Sequence, residues 1–305
     1  MFQKTRVGLK TALFATWALW AFQNAAPAFA QVAAGPAAPK SAPGEIVVNA
    51  RTQTIIDSFI DDVADISGER QIPRWEGSIC PGIVGLEAAQ AEYVNSRIGA
   101  AVQGVGLRLD REGCDPSIFV IFTSGPERVA RALAERYPIT LRADGRAKLK
   151  RFVEAPAAAR WITTTETGVK GIAKAAGFAD PRLNLENGVV SGNVPQSRIG
   201  TPARAITTSM VVLLDSTKLQ GLSMRQLGDY IAMLVLARPP LGSTPPSQSI
   251  LNLFGEGGRA LGQMTDFDLL YLRALYAAPE NMKVNAQKSS IRHAMMKAAA
   301  LRPDQ

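Results

Sequence analysis

The chain has 305 residues with 34 Lys and Arg, 26 Asp and Glu and one histidine, giving a formal charge of +8. A single histidine and two cysteines restrict the chemistry that nucleophile-imidazole pairs or His/Cys metal clusters could supply. The positive charge is modest and dispersed, which argues against nucleic acid as a partner and reads chiefly as solubility.

The first thirty residues read as a secretory signal. Lys4, Arg6 and Lys10 form a positive start, an apolar run covers residues 11–22, and Ala28-Phe29-Ala30 supplies the small-x-small cleavage pattern. Cleavage is therefore expected between Ala30 and Gln31, leaving a mature charge of +5 after loss of three basic side chains. The apolar run is too short to span a bilayer, so a periplasmic or secreted protein without a transmembrane anchor is expected. In that oxidising setting Cys80 and Cys114 read as a disulfide, which would stabilise the fold by about 3 to 4 kcal/mol on the chain-entropy model. The competing readings, a redox pair or a metal site, lack a C-x-x-C or a nearby histidine.

Residues 31–44 are rich in Ala and Pro with one charge, and read as a disordered tether. A single α/β domain is expected over residues 45–305, with a mixed sheet, flanking helices and a helical part from about residue 223. Ile46-Val47-Val48 reads as a first strand. A helix over 52–66 then places Ile55, Phe59, Val63 and Ile66 on one face, with Asp57, Asp61 and Asp65 on a solvated opposite face.

A second helix is expected over 86–102, with Ala88, Ala91, Val94, Ile98 and Ala101 in phase and Gly104 and Gly106 ending it. Ser117-Ile118-Phe119-Val120-Ile121-Phe122 suits a central strand, after which Ser124-Gly125-Pro126 opens a helix. Arg160-Trp161-Ile162-Thr163-Thr164-Thr165 and Met210-Val211-Val212-Leu213-Leu214 are further strands. Residues 166–204, broken repeatedly by Gly and Pro, read as hairpins, a loop or a flap.

Ser223 and Gln226 form a capping box for a helix whose residues 230–237 carry no charge, so it should be buried on most sides. Thr265 caps another helix with Phe267, Leu270, Tyr271 and Ala274 as its apolar stripe, and Asp266 and Asp268 at its positive end. A last helix over 280–300 docks through Val284, Ile291, Met295 and Ala298.

The order of these C-terminal parts resembles that of metzincin-type zinc peptidases: a helix over 225–237, the turn Ser249-Ile250-Leu251, then a helix reached through Met264-Thr265-Asp266-Phe267-Asp268 and ending Ala274-Leu275-Tyr276. The resemblance implies a zincin-like scaffold. In the family, the helix carries His-Glu-x-x-His, two imidazoles one turn apart on one zinc. Gln226-Leu227-Gly228-Asp229-Tyr230 stands there instead, and the only histidine, His293, lies in the last helix beside Arg292. The resemblance therefore implies a scaffold without its catalytic groups, and neither metal nor cofactor is expected.

Other motifs are weaker. Gly255-Glu256-Gly257-Gly258-Arg259-Ala260 fits G-x-G-x-x-A by letter but follows a loop segment, and reads as a connection. A carboxylate pair acting on glycans would draw on Asp229, Asp266 and Asp268, with Glu76 beside Trp75 as a separate candidate. The structural reading of all four is capping or ion pairing. Glu45-Ile46-Val47-Val48-Asn49-Ala50-Arg51 resembles the TonB box of outer-membrane transporters, which implies an envelope partner that pairs with it as an added strand. The sequence thus favours a non-catalytic, partner-binding envelope protein over an envelope glycan or peptide hydrolase using carboxylates without zinc.

Overall fold

The computed structural model describes residues 43–64, 71–143, 145–169 and 203–300. The signal segment, its cleavage point at Ala30-Gln31, the tether up to residue 42, Asp65, Ile66 and the interior of the 166–204 stretch lie outside the described residues.

The first helix, α1 (Pro43–Val63), begins at a proline whose fixed φ suits a first helical turn. Ile46, Val47 and Val48 are thus helical, correcting the strand expected there. Its buried face is Ile56, Phe59, Ile60 and Val63, at i, i+3, i+4 and i+7, while Ile55 is largely exposed. Short strands β1 (Arg74–Trp75), β2 (Ser78–Ile79) and β3 (Pro81–Val84) follow, then α2 (Ala88–Gly104), β4 (Arg108–Leu109) and β5 (Ile118–Thr123). Helices α3 (Pro126–Arg136), α4 (Pro138–Leu141) and α5 (Arg146–Glu154) lead to the long strands β6 (Ala159–Val169) and β7 (Ala203–Asp215). The chain closes with α6 (Met224–Ala237), α7 (Asp266–Ala277) and α8 (Val284–Ala300).

The architecture is α/β with a mixed, mainly parallel sheet. Strand β7 is its spine: β6 pairs antiparallel along one edge, and β5 and β1 pair parallel to successive parts of the other. Strand β3 extends the sheet beyond β5, and β2 with β4 forms a separate parallel pair. Alternation along β5 and β7 feeds two cores. Ile118, Val120, Met210, Val212 and Leu214 pack under α1, α2 and α6 to α8, whereas Val211 and Leu213 meet Ala130 of α3, Leu141 of α4 and Phe152 of α5.

Cys80 and Cys114 form the disulfide read from the sequence, with Cα atoms 6.1 Å apart. It fastens the start of β3 beside β5, where Cys80 also exchanges backbone and hydroxyl hydrogen bonds with Ser117. Asp61, 55% exposed, lies on a solvated face as expected, with Asp57 partly exposed beside it, and the two pair there with Lys288 and Arg292 of the antiparallel α8. Among the described residues no helix is long and apolar enough to cross a membrane.

Candidate functional site

Helix α6 begins with the expected capping box: the Ser223 hydroxyl accepts from the Gln226 N–H, and the Ser223 N–H donates to Gln226 Oε1. The Gln226 amide also donates to the carbonyls of Arg259 and Leu261, tying the helix start to the segment before α7. Every residue from Gln226 to Ala237 is buried. Gly228 is part of the reason, because a Cβ there would lie 2.8 Å from Cβ and Cγ of Arg97 on α2. The close approach lets the Arg97 Nε donate to Asp229 Oδ1 at 2.7 Å, while Asp229 Oδ2 accepts the Met264 N–H at 2.9 Å. Tyr230 packs edge-on against Phe254, with ring centres 5.1 Å apart.

Asp268 is equally committed. Its Oδ1 accepts from the Ser249 hydroxyl at 2.5 Å, and its Oδ2 accepts from the N–H groups of Ile250 and Thr265 and from the Thr265 hydroxyl, each at 2.9 Å. Burial pushes its carboxyl above the ordinary value, against the opposing pull of these hydrogen bonds. Asp266 lies exposed in the first turn of α7, where a carboxylate complements the helix dipole.

The structure thus brings Asp229 and Asp268 onto one short segment, residues 264–265, but as acceptors for its backbone rather than as facing acids across a cleft. At the place where the zincin resemblance calls for metal ligands, Gln226 and Asp229 spend their polar atoms on protein partners. These residues do not fit a zinc ion. Among the described residues no three His, Cys, Asp or Glu side chains converge as a metal site.

Glu76 occupies a different setting. It lines a cleft of about 320 Å³ with Arg74, Trp75, Arg204, Tyr276 and Glu280, and with Val105, Gly106 and Leu107. Arg204 bridges the two acids, at 2.9 Å from Glu76 and 3.1 Å from Glu280. Arg74 is buried and donates at 2.6 and 2.7 Å to the carbonyls of Leu275 and Ala278, satisfying the C-terminal end of α7. Desolvation lowers its guanidinium pKa, with Glu280, Tyr276 and Glu76 opposing. The Tyr276 hydroxyl donates to the Leu236 carbonyl at 3.2 Å, and burial raises its pKa.

Sequence reasoning found Glu76 but missed Arg74, Arg204, Tyr276 and Glu280. Arg74 adjoins the flagged Trp75-Glu76 pair, whereas the other three are brought in from more than 120 positions away.

Residues 45–51 all lie in α1, so their backbone N–H and C=O groups belong to a helix and do not form the free edge that strand addition needs. The glycine motif at 255–260 forms tight turns: the Gly255 N–H donates to the Asn252 carbonyl at 2.7 Å, and the Asn252 amide donates to the Glu256 carbonyl at 3.0 Å. Gly258 sits where a Cβ would overlap the Asn252 carbonyl oxygen. Comparison with protein families, curated proteins and solved structures gives no match to this chain.

Proposed function

We propose that this is an exported, periplasmic or secreted protein, built on a degenerate zincin-like scaffold, that acts by binding an envelope partner rather than by catalysis. The observation that carries this reading is the complete engagement of Asp229 and Asp268: each carboxylate has both oxygens occupied by donors of the fold. Neither lines the Glu76 cleft. An acid held in this way cannot reach a substrate bond without dismantling the connection between α6 and α7. The disulfide and the lack of a membrane-crossing helix among the described residues are compatible with export.

We assign the binding surface to the Glu76 cleft. Its two arginines and two glutamates balance in charge, and Trp75, Val105 and Leu107 supply apolar wall, a mixture suited to a peptide segment that offers both polar and apolar groups. A photo-crosslinking residue at position 280, in the rim of the cleft, is expected to capture a discrete envelope component, and Arg204→Ala in the same chain should abolish the adduct. Recovery of no adduct from the cleft, or equal capture from a position on α3, would remove the assignment.

The alternative, an envelope glycan or peptide hydrolase using carboxylates without zinc, draws on one observation: Glu76 and Glu280 meet on the same Arg204 guanidinium inside a cleft. Both acids are engaged by that one guanidinium as ion-pair partners. Turnover lost in Glu76→Gln would support this alternative over the binding reading.

A further inference from the structure

The positive charge of the chain is less evenly spread than its total suggests. Residues 126–154, which span α3, α4 and α5, hold eight Lys and Arg against four Asp and Glu, a surplus of four that is half of the whole chain's +8. These helices pack on one face of the sheet through Ala130, Leu141 and Phe152, and α1, α2 and α6 to α8 cover the other. Arg131 and Lys150 pair with Glu127 and Glu154 along their own helices. Arg128, Arg142, Arg146 and Arg151 are exposed and make no ion pair among the described residues.

One large apolar side chain of this layer points away from the protein. Ile139 is 87% exposed, against 56% for Val84, the next most exposed large apolar residue described, and it packs in neither core. Leu141, two positions on, is buried, and residues two apart in a helix lie about 200° apart around its axis. Leu141 therefore seats α4 on the protein and turns Ile139 outward. Pro138 opens this helix, and the Arg142 N–H donates to the Ile139 carbonyl at 3.2 Å. Arg136 and Arg142 stand three residues to either side of Ile139, and residues 136–143 contain no acid. The Arg136 guanidinium lies 5.9 Å from the centre of the Tyr137 ring.

We propose that residues 136–142 dock on an anionic lipid surface. Ile139 enters the boundary between headgroups and acyl chains, while the arginines beside it meet lipid phosphates and lay their aliphatic stems along the apolar layer. The sign of the charge selects anionic over zwitterionic lipid. One apolar side chain and a few cations give a reversible attachment, the kind open to a protein in which no described helix is long and apolar enough to cross a membrane. The surface shares no residue with the Glu76 cleft and does not depend on the partner-binding reading.

The test is flotation of the purified mature protein with vesicles of phosphatidylglycerol and phosphatidylcholine in equal parts. The wild type should float with these and not with vesicles of phosphatidylcholine alone. Ile139→Ser, at an exposed position, should lower partitioning by about tenfold, and Arg142→Gln by about fivefold. Tyr93→Ser and Arg273→Gln remove an exposed ring and an exposed cation from α2 and α7, helices of the other face, and should leave partitioning unchanged. No flotation of the wild type with the anionic vesicles, or equal losses in the two control variants, would overturn the proposal. So would a dimer in vesicle-free solution that Ile139→Ser disperses, which would assign the face to a second copy of the chain.

Discussion

Asp229 of α6 and Asp268 of α7 accept the backbone N–H groups of consecutive residues, Met264 and Thr265, at 2.9 Å each. Two carboxylates from different helices thereby fix one short stretch of chain, and through it the packing of α6, the Ser249-Ile250-Leu251 turn and α7. Acids that a sequence reading offers to catalysis are here the joints of the C-terminal half.

Truncation of Asp268 should expose this role. Asp268→Ala leaves the Ile250 and Thr265 N–H groups and the Ser249 hydroxyl without their acceptor in a buried place, at a cost of about 3 to 5 kcal/mol. Asp268→Asn keeps an acceptor oxygen for the N–H groups and should cost about 1 to 2 kcal/mol. Urea unfolding of the two variants measures the difference.

The same residue gives a pH signature. Its folded-state pKa is raised above the ordinary 3.8 by burial, so its contribution is full below the unfolded value and is lost as pH rises through the raised folded value. Stability measured upward from about pH 4 should therefore fall more steeply in the wild type than in Asp268→Asn.

Much of this half was legible in the chain, and the reasons are local. The Ser223-Gln226 and Thr265-Asp268 pairs are three residues apart, so both caps announce themselves, and the uncharged run after Asp229 gives away the buried helix. What Asp229 binds could not be read, because Arg97 and Met264 lie 132 and 35 positions away. Strands β1, β2 and β4 have two residues each, too few for any periodicity, and they exist only because a neighbouring strand offers an edge. The run Ile46-Val47-Val48 carries strand propensity, yet it continues without a break into a helix that buries Phe59 and Val63, and tertiary burial decides the outcome. The Glu76 cleft was half visible at Trp75-Glu76, while Arg204 and Glu280 arrive from other parts of the chain.

Gly228 and Gly104 should respond in opposite ways to alanine. At Gly228 the new methyl meets Cβ and Cγ of Arg97, which have little freedom to move, so Gly228→Ala should destabilise by about 1 to 3 kcal/mol despite its better helix propensity. At Gly104, in the last turn of α2, nothing lies within 4 Å, and Gly104→Ala should be neutral or stabilise by up to about 1 kcal/mol. Thermal or urea unfolding of the pair checks the sign.

Reduction of Cys80–Cys114, which are 34 positions apart, should lower unfolding free energy by about 3 to 4 kcal/mol through loop-closure entropy. Peptide mapping without reductant should recover the two cysteines in one linked pair. The reduced protein should retain its helical content, since α6 to α8 lie far along the chain from the bridge.

The polar side chains of Gln226 and Asp229 on α6 are committed to protein partners rather than to a metal. Elemental analysis of the purified protein, dialysed without chelator, tests this commitment most directly. Zinc well below one equivalent per chain, in wild type and Asp229→Asn alike, is the predicted result. One equivalent of zinc in the wild type that is lost in Asp229→Asn, with the fold retained, would contradict the account.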